Sequence, residues 1–313
     1  MYNPLSLTAL GLPTINTKFD NNATFVRSHL VSPLILGILR ALISLYCFTT
    51  IIVAYSWLSQ NFAPNTLRDI DIPTYTLILG KGFIGKSFSF FTFLTFWSLA
   101  FYFGVSAFHT LTYAYNRRRG NGRMSPLHDS LPRSLQLLHT LWYTTITTYP
   151  FLVSIVFWCT MYGSPWPTHS RFTQWINISV HGLNSLFAIF EVVFGAARPP
   201  PFIPHLLVVL LGLSLYLGLA YLSKATEDFY VYEWMNPAWG WQGIVAHIAG
   251  YAAGMTAIYS LVWGAMWLRE QLISKHLERK ESVTNAVIDE YAWSETPSCS
   301  TSTKELVIEV RAV

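Results

Sequence analysis

The stretch WINISVHGLNSLFAIFE, Trp175 to Glu191, decides how this chain is read. Most of it is apolar enough to sit in lipid, yet it carries Asn177, His181, Asn184, Ser185 and Glu191. An α-helix turns about 100° per residue, so the polar positions can be projected from His181. Asn177 then falls near −40°, Asn184 near −60°, Ser185 near +40° and Glu191 near −80°, all figures being about 20° precise. The five groups share one face. Turned to lipid, they would lose hydrogen bonds, so this face is expected to look into a helix bundle or a wet cavity.

The rest of the chain supports a membrane reading. Of 313 residues, 52% are hydrophobic and only 12% charged, with a mean hydropathy of +0.36. Soluble domains carry roughly 25% charged residues. A helix rises about 1.5 Å per residue, so runs of about 20 apolar residues can cross the hydrocarbon layer. Six runs qualify, at 33–58, 88–115, 136–162, 172–196, 202–223 and 243–268. The expected class is all-α, a polytopic bundle of six transmembrane helices. Its organisation is a cytosolic segment 1–32, a membrane domain 33–271 and a disordered cytosolic tail 272–313, rich in Ser, Thr and Glu. The first span has no cleavable-signal pattern before it and would serve as its own insertion signal.

Orientation follows the basic residues. Arg117, Arg118, Arg119, Arg123 and Arg133 lie between spans two and three, and Arg269, Lys275, Arg279 and Lys280 open the tail. Positive loops stay cytosolic, which puts both termini there and outweighs Lys81 and Lys86 before span two. The Asn22-Ala23-Thr24 sequon would then remain unmodified. Arg40 and Glu191 lie near the cytosolic ends of their spans, where Arg40 can snorkel and Glu191 can pair with Arg198. Gly250 and Gly254 have the spacing of a helix-packing contact. Cys47, Cys159 and Cys299 show no disulfide or zinc spacing. Neither a cofactor, a metal nor nucleic acid is expected. The expected partners are the lipid bilayer and a lipid ester substrate.

Span two repeats the pattern of span four. Projected from Thr95, the residues Ser98, Tyr102, Ser106, His109 and Tyr113 fall within about 60°. Both spans start from the non-cytosolic side, which places Thr95 and His181 at depths of roughly 10 and 13 Å. If the two helices are neighbours, a hydroxyl and an imidazole can meet in one cavity, the outline of a nucleophile and its base. Membrane threonines commonly bond back to their own helix, and a buried histidine can simply tie helices together.

Two stretches carry a resemblance. FLTFWSLAFYF (93–103) and HGLNSLFAIFE (181–191) resemble signature segments of the androgen-induced gene 1 / androgen-dependent TFPI-regulating protein family. HGLNSLFAIFEVVFGAARPPPF (181–202) and LYLGLAYLSKATEDFYVYEWMNP (215–237) are similar to its fungal-type members. The resemblance spans roughly residues 40–270 and includes the six-span layout. It implies a multi-pass hydrolase of fatty acid esters of hydroxy fatty acids, with a threonine nucleophile and a histidine. The matching positions are Thr95, after the Phe-Leu pair and before Phe96, and His181, ten residues before Glu191. Trp97-Ser98 stands where animal members carry an acid, and span three has its own aromatic and threonine-rich insertion.

In such a hydrolase, neutral His181 would take the Thr95 proton as the hydroxyl attacks an ester carbonyl. Asp69 and Asp71 lie in the loop before span two and Glu191 stands about 15 Å along the axis from His181, so a dyad is expected. Ser98, Tyr102, Asn184 and Ser185 are the substrate-pocket candidates. Asn184, Ser98, Tyr102 or backbone freed near Pro150 can serve as oxyanion donors. Two other classes remain open. His109, His139, His181, His205 and His247 could hold haems in a redox protein. The polar stripes could instead line a transport path, although no paired inverted halves are visible. An endoplasmic reticulum or plasma membrane location fits each class.

Overall fold

The computed structural model describes residues 10–11, 19–61, 83–120, 122–161 and 171–294, and every regular element among them is helical. Six helices are long and apolar enough to cross a membrane: α1 (Pro33–Trp57), α2 (Phe91–Arg119), α3 (Arg133–Met161), α4 (Arg171–Phe194), α5 (Phe202–Glu227) and α6 (Trp241–Thr284). The chain is an all-α polytopic bundle. Asp69, Asp71, Lys81 and Cys299 lie outside the described residues.

Local chemistry sets several helix ends. Gly120, at φ 65°, closes α2 with its N–H on the Arg117 carbonyl, 3.3 Å away. Glycine suits that left-handed position, and the three arginines before it suit the negative end of the helix dipole. α5 starts after the Pro199-Pro200-Pro201 run and stops at Asp228, also left-handed at φ 56°.

Two of the spans leave the α-helical register. The last turn of α3, Phe157–Met161, is a π turn, and so is Ser179–Leu183 within α4. A π turn takes in an extra residue and releases backbone groups from the regular ladder, often at functional positions. Pro150 adds a second irregularity inside α3, because its nitrogen has no hydrogen to donate.

Helix α2 is the centre of the packing. It lies along α1, contacts α3 and touches the π turn of α4. Its residues Phe96, Leu99, Ala100, Tyr102 and Phe103 are fully buried with Cys47 and Ile51 of α1, Ile146 of α3 and Val180 of α4. Close approach is built in where Gly37 faces Leu111 and Gly212 faces Tyr149, since a side chain at either glycine would collide. Among the described residues, Gly250 and Gly254 do not make the expected helix contact, since nothing lies within 4 Å of where a side chain would begin. Small residues permit close packing but do not by themselves supply a partner. The opposite faces are apolar and open: Leu207, Leu211, Leu215 and Leu222 form an exposed stripe on α5. Such a stripe suits lipid and would be a liability in water.

The polar faces of α2 and α4 do turn inward. Thr95, Tyr102, Ser106, His109, Asn177, His181, Asn184 and Glu191 are all buried. Arg40 and Glu191 depart from the expected snorkelling and from an Arg198 pairing. They are 1% and 0% exposed and form a two-point ion pair, Arg40 Nε to Glu191 Oε2 at 3.0 Å and Arg40 Nη2 to Glu191 Oε1. Arg40 Nη1 also donates to Thr110 Oγ1 at 2.6 Å and to the Phe25 carbonyl at 2.9 Å. A buried pair needs such further bonds to offset desolvation. Snorkelling describes one helix alone, and here the partner is 151 residues away.

The chain divides into two compact units, Met1–Met266 and Trp267–Val313. Helical structure runs on to Ser294, past the tail boundary expected at residue 272. The stretch 272–294 is rich in Leu, Glu, Lys and Arg, which have high helix propensity even where no apolar face is buried. Residues 295–313 lie outside the described residues.

Candidate functional site

The site begins at the π turn of α4. Ser185 N–H donates to the Asn184 side-chain oxygen at 2.7 Å. In a regular helix that N–H would serve the His181 carbonyl, four residues back. The His181 carbonyl instead accepts from two groups on α3, Ser154 Oγ at 2.6 Å and Trp158 Nε1 at 2.9 Å. The broken ladder is thus repaired from a neighbouring helix, and the repair fixes how α4 sits against α3.

Ser154 Oγ also lies 3.0 Å from Asn184 Oδ1 and 2.6 Å from Ser185 Oγ, and Ser185 Oγ donates to the Pro150 carbonyl at 2.9 Å. The Ser185 N–H can only donate, so Asn184 Oδ1 is the acceptor and the orientation of its amide is set. Asn184 Nδ2 is left buried without a hydrogen-bond partner among the described residues.

Atoms of Thr50, Thr95, Ser106, His109, His139 and His181 share that condition. Thr95 Oγ1 and His181 Nδ1 are buried and make no well-formed hydrogen bond among the described residues, although the imidazole lies within reach of the Asn177 carbonyl one turn back. Thr95 is therefore not bonded back to its own helix. Thr110, Thr144, Thr147, Thr148 and Thr256 all are, each donating to the carbonyl four residues earlier. Nor are Thr95 and His181 hydrogen-bonded to each other. Leaving a buried polar atom unpaired costs about 1–3 kcal/mol. Five such groups lie on α2 and α4, namely Thr95, Ser106 and His109 on the first and His181 and Asn184 on the second, and α2 touches the π turn that carries His181.

An apolar cavity of about 210 Å³ adjoins this polar knot. It lies among α2, α3, α5 and α6 and is lined by Phe91, Thr92, Val156, Phe157, Leu213 and Tyr251, among others. Phe157 belongs to both regions. Its ring lines the cavity and stacks on the His181 imidazole, 3.5 Å between centroids and 2° from parallel. Thr92, one helical turn before Thr95, lines the same cavity.

The four pocket candidates separate. Asn184 and Ser185 belong to the knot beside His181. Ser98 Oγ accepts from Trp142 Nε1 at 2.8 Å. Tyr102 donates to Glu191 Oε1 at 3.3 Å and so joins the Arg40–Glu191 cluster. Ser154, Phe157 and Trp158 had no signal in the sequence beyond their place in span three; Pro150 did, as a helix irregularity.

The histidines do not gather into one centre. His205 is held by Thr144 Oγ1 at 2.7 Å and the Leu10 carbonyl at 3.2 Å, and His247 is exposed with Nδ1 on the Gly243 carbonyl at 2.7 Å. His109 and His139 pack edge to face, 6.1 Å between centroids. Among the described residues, no group of three or more His, Cys, Asp or Glu side chains is placed to share a metal ion. Compared with known proteins, the chain matches no family model, no curated protein and no solved structure.

Proposed function

We propose that the protein is an intramembrane lipid-ester hydrolase in which Thr95 is the nucleophile and His181 its general base. The observation that carries this reading is that Thr95 Oγ1 and His181 Nδ1 are both buried without a well-formed hydrogen bond among the described residues, on two helices in contact beside an apolar cavity. A hydroxyl spared from back-bonding keeps its lone pairs and its proton for chemistry. The resemblance of 93–103 and 181–191 to the androgen-induced gene 1 family points to the same two residues.

The steps balance with these groups alone. The Thr95 oxygen attacks the ester carbonyl while its proton passes to His181, giving a tetrahedral oxyanion. Asn184 Nδ2, buried and without a partner, is the side-chain donor best suited to that charge. Collapse expels the alcohol, which takes the proton from His181 and leaves an acyl-threonine. Water then gives a proton to His181 as its oxygen attacks the acyl carbonyl; collapse breaks the bond to Thr95, whose oxygen takes that proton back from His181 as the acid leaves.

The acyl chain of the substrate occupies the apolar cavity, and the Phe157 ring separates it from the imidazole. Lipid esters suit such a site because their chains partition into the bilayer before the carbonyl meets the polar face. Both termini then lie in the cytosol, in the endoplasmic reticulum or plasma membrane, with the basic loop on the same side.

The test is turnover of lipid esters by the purified protein in detergent or nanodiscs. Wild type releases fatty acid; Thr95→Ala and His181→Ala, eluting as monodisperse species, release none. A Thr95→Ala protein working at the wild-type rate would overturn the assignment.

A further inference from the structure

At the basic end of α2 the fold builds a second recess, of about 390 Å³. Its size lies within the roughly 300–1,000 Å³ usual for small-molecule sites. Three arginines from separate places line it: Arg27 from the segment before α1, Arg117 from the last turn of α2, and Arg123 from the loop that follows. Asn21, Asn22, Asn116 and Tyr113 add neutral hydrogen-bonding groups, and no lining residue is acidic. Two carboxylates lie just behind the wall, and one of them, Asp129, is bonded to the lining residue Met124. Asp20 is bonded to Thr24 Oγ1 at 2.8 Å, Phe25 N at 3.0 Å and His128 Nε2 at 3.0 Å, and Asp129 accepts from Met124 N at 2.8 Å.

The walls are pinned. Asn116 Nδ2 donates to the Met124 carbonyl at 3.1 Å, tying the loop back to α2. The Arg27 carbonyl accepts from Ala196 N at 3.1 Å, and Arg27 Nη1 reaches the Asn22 carbonyl at 3.4 Å. Ala23, Gly120 and Gly122 take left-handed backbone conformations around the rim, which turns these segments sharply enough to face each other. Setting membrane orientation needs only a count of positive residues in a loop. It does not need Arg27, about ninety positions earlier in the chain than Arg117, to face the same recess. Arg119, by contrast, is stacked over Tyr115, and Arg118 is not among the lining residues.

From this convergence we infer that the recess binds a phosphate-bearing anion, with Arg27, Arg117 and Arg123 as the charged ligands. Guanidinium groups pair with phosphate oxygens in a two-point geometry, and several of them around one opening favour a doubly charged headgroup. The recess stands at the end of a membrane-length helix, where an anionic lipid presents its phosphate and where basic pockets between helices hold headgroups. A free phosphate has the same recognition chemistry. This site is separate from Thr95 and His181 and does not depend on the hydrolase reading.

The probes are dioctanoyl phosphatidic acid and inorganic phosphate, titrated against the full chain in neutral detergent and followed by native mass spectrometry and intrinsic fluorescence. Wild type is expected to bind phosphatidic acid, at least tenfold tighter than the Arg27→Gln/Arg117→Gln double variant and equal to Arg118→Gln. Competition by inorganic phosphate at comparable concentration identifies a soluble phosphate as the ligand; binding of the lipid alone identifies a headgroup site. Equal binding by wild type and the double variant overturns the proposal. So does an Arg118→Gln loss as large as the double variant's, because that is general charge attraction.

Discussion

The ring of Phe157 lies face to face on the imidazole of His181, 3.5 Å between centroids and within 2° of parallel, while also lining the apolar cavity. One side chain from the π turn of α3 is thus a partition between the candidate base and the space proposed for an acyl chain. Replacing it changes both. Phe157→Ala is expected to shift the preferred substrate toward longer or bulkier acyl chains, because the cavity then opens onto His181, at a stability cost of about 3–5 kcal/mol. Rates across a series of short- to long-chain esters read the shift. An unchanged chain-length profile in folded Phe157→Ala protein would remove the cavity from the account.

Asn184 separates chemistry from support. Its Oδ1 accepts from Ser185 N and lies 3.0 Å from Ser154 Oγ, whereas its Nδ2 has no hydrogen-bond partner among the described residues. Asn184→Ala is expected to lower kcat by about 10²–10³-fold with little change in KM, the behaviour of a donor used mainly in the transition state. Ser154→Ala, which removes a neighbour of Oδ1 but keeps the donor, should cost far less. Equal losses in the two variants would make Asn184 a packing residue only.

The Arg40–Glu191 pair gives a prediction about stability. Glu191→Gln or Arg40→Met strands the remaining charge in a site that is about 1% exposed or less, and removing one member of a buried pair costs about 3–5 kcal/mol. Thermal unfolding followed by fluorescence should show a large fall in Tm for each single variant. Arg40→Met/Glu191→Met should recover most of it. A double variant no more stable than the singles would mean that the pair's other bonds, to Thr110, Phe25 and Tyr102, dominate.

Topology is tested by the sequon at Asn22. With the N-terminal segment in the cytosol, the chain expressed in microsomes should show no glycosidase-sensitive mass at this position. A mass shift abolished by Asn22→Gln would reverse the proposed orientation.

How far the residues alone carried the fold depends on the kind of interaction. The six helices and the inward polar faces were legible, because each follows from hydropathy and a period of 3.6 residues within one segment. The same period placed Thr95 and His181 on those faces among other polar residues, and only the resemblance of 93–103 and 181–191 set them apart. The Arg40–Glu191 pair was not legible, since it joins α1 to α4 across 151 positions and depends on tertiary packing. The π turns were hidden too. Projecting α4 assumes an unbroken helix, whereas Ser179–Leu183 takes in an extra residue and is repaired by Ser154 and Trp158 from α3. Gly250 and Gly254 misled because their spacing describes a capacity for contact and not a partner.

The most direct measurement is the position of a covalent adduct. The purified protein is treated with a fluorophosphonate hydrolase probe, digested and mapped by tandem mass spectrometry, beside His181→Ala and Thr50→Ala. Thr50 is the informative control, because its Oγ1 is likewise buried and unpartnered among the described residues. The account predicts an adduct on Thr95 in wild type and Thr50→Ala, lost in His181→Ala. An adduct on another residue, or none on folded wild-type protein, would contradict it.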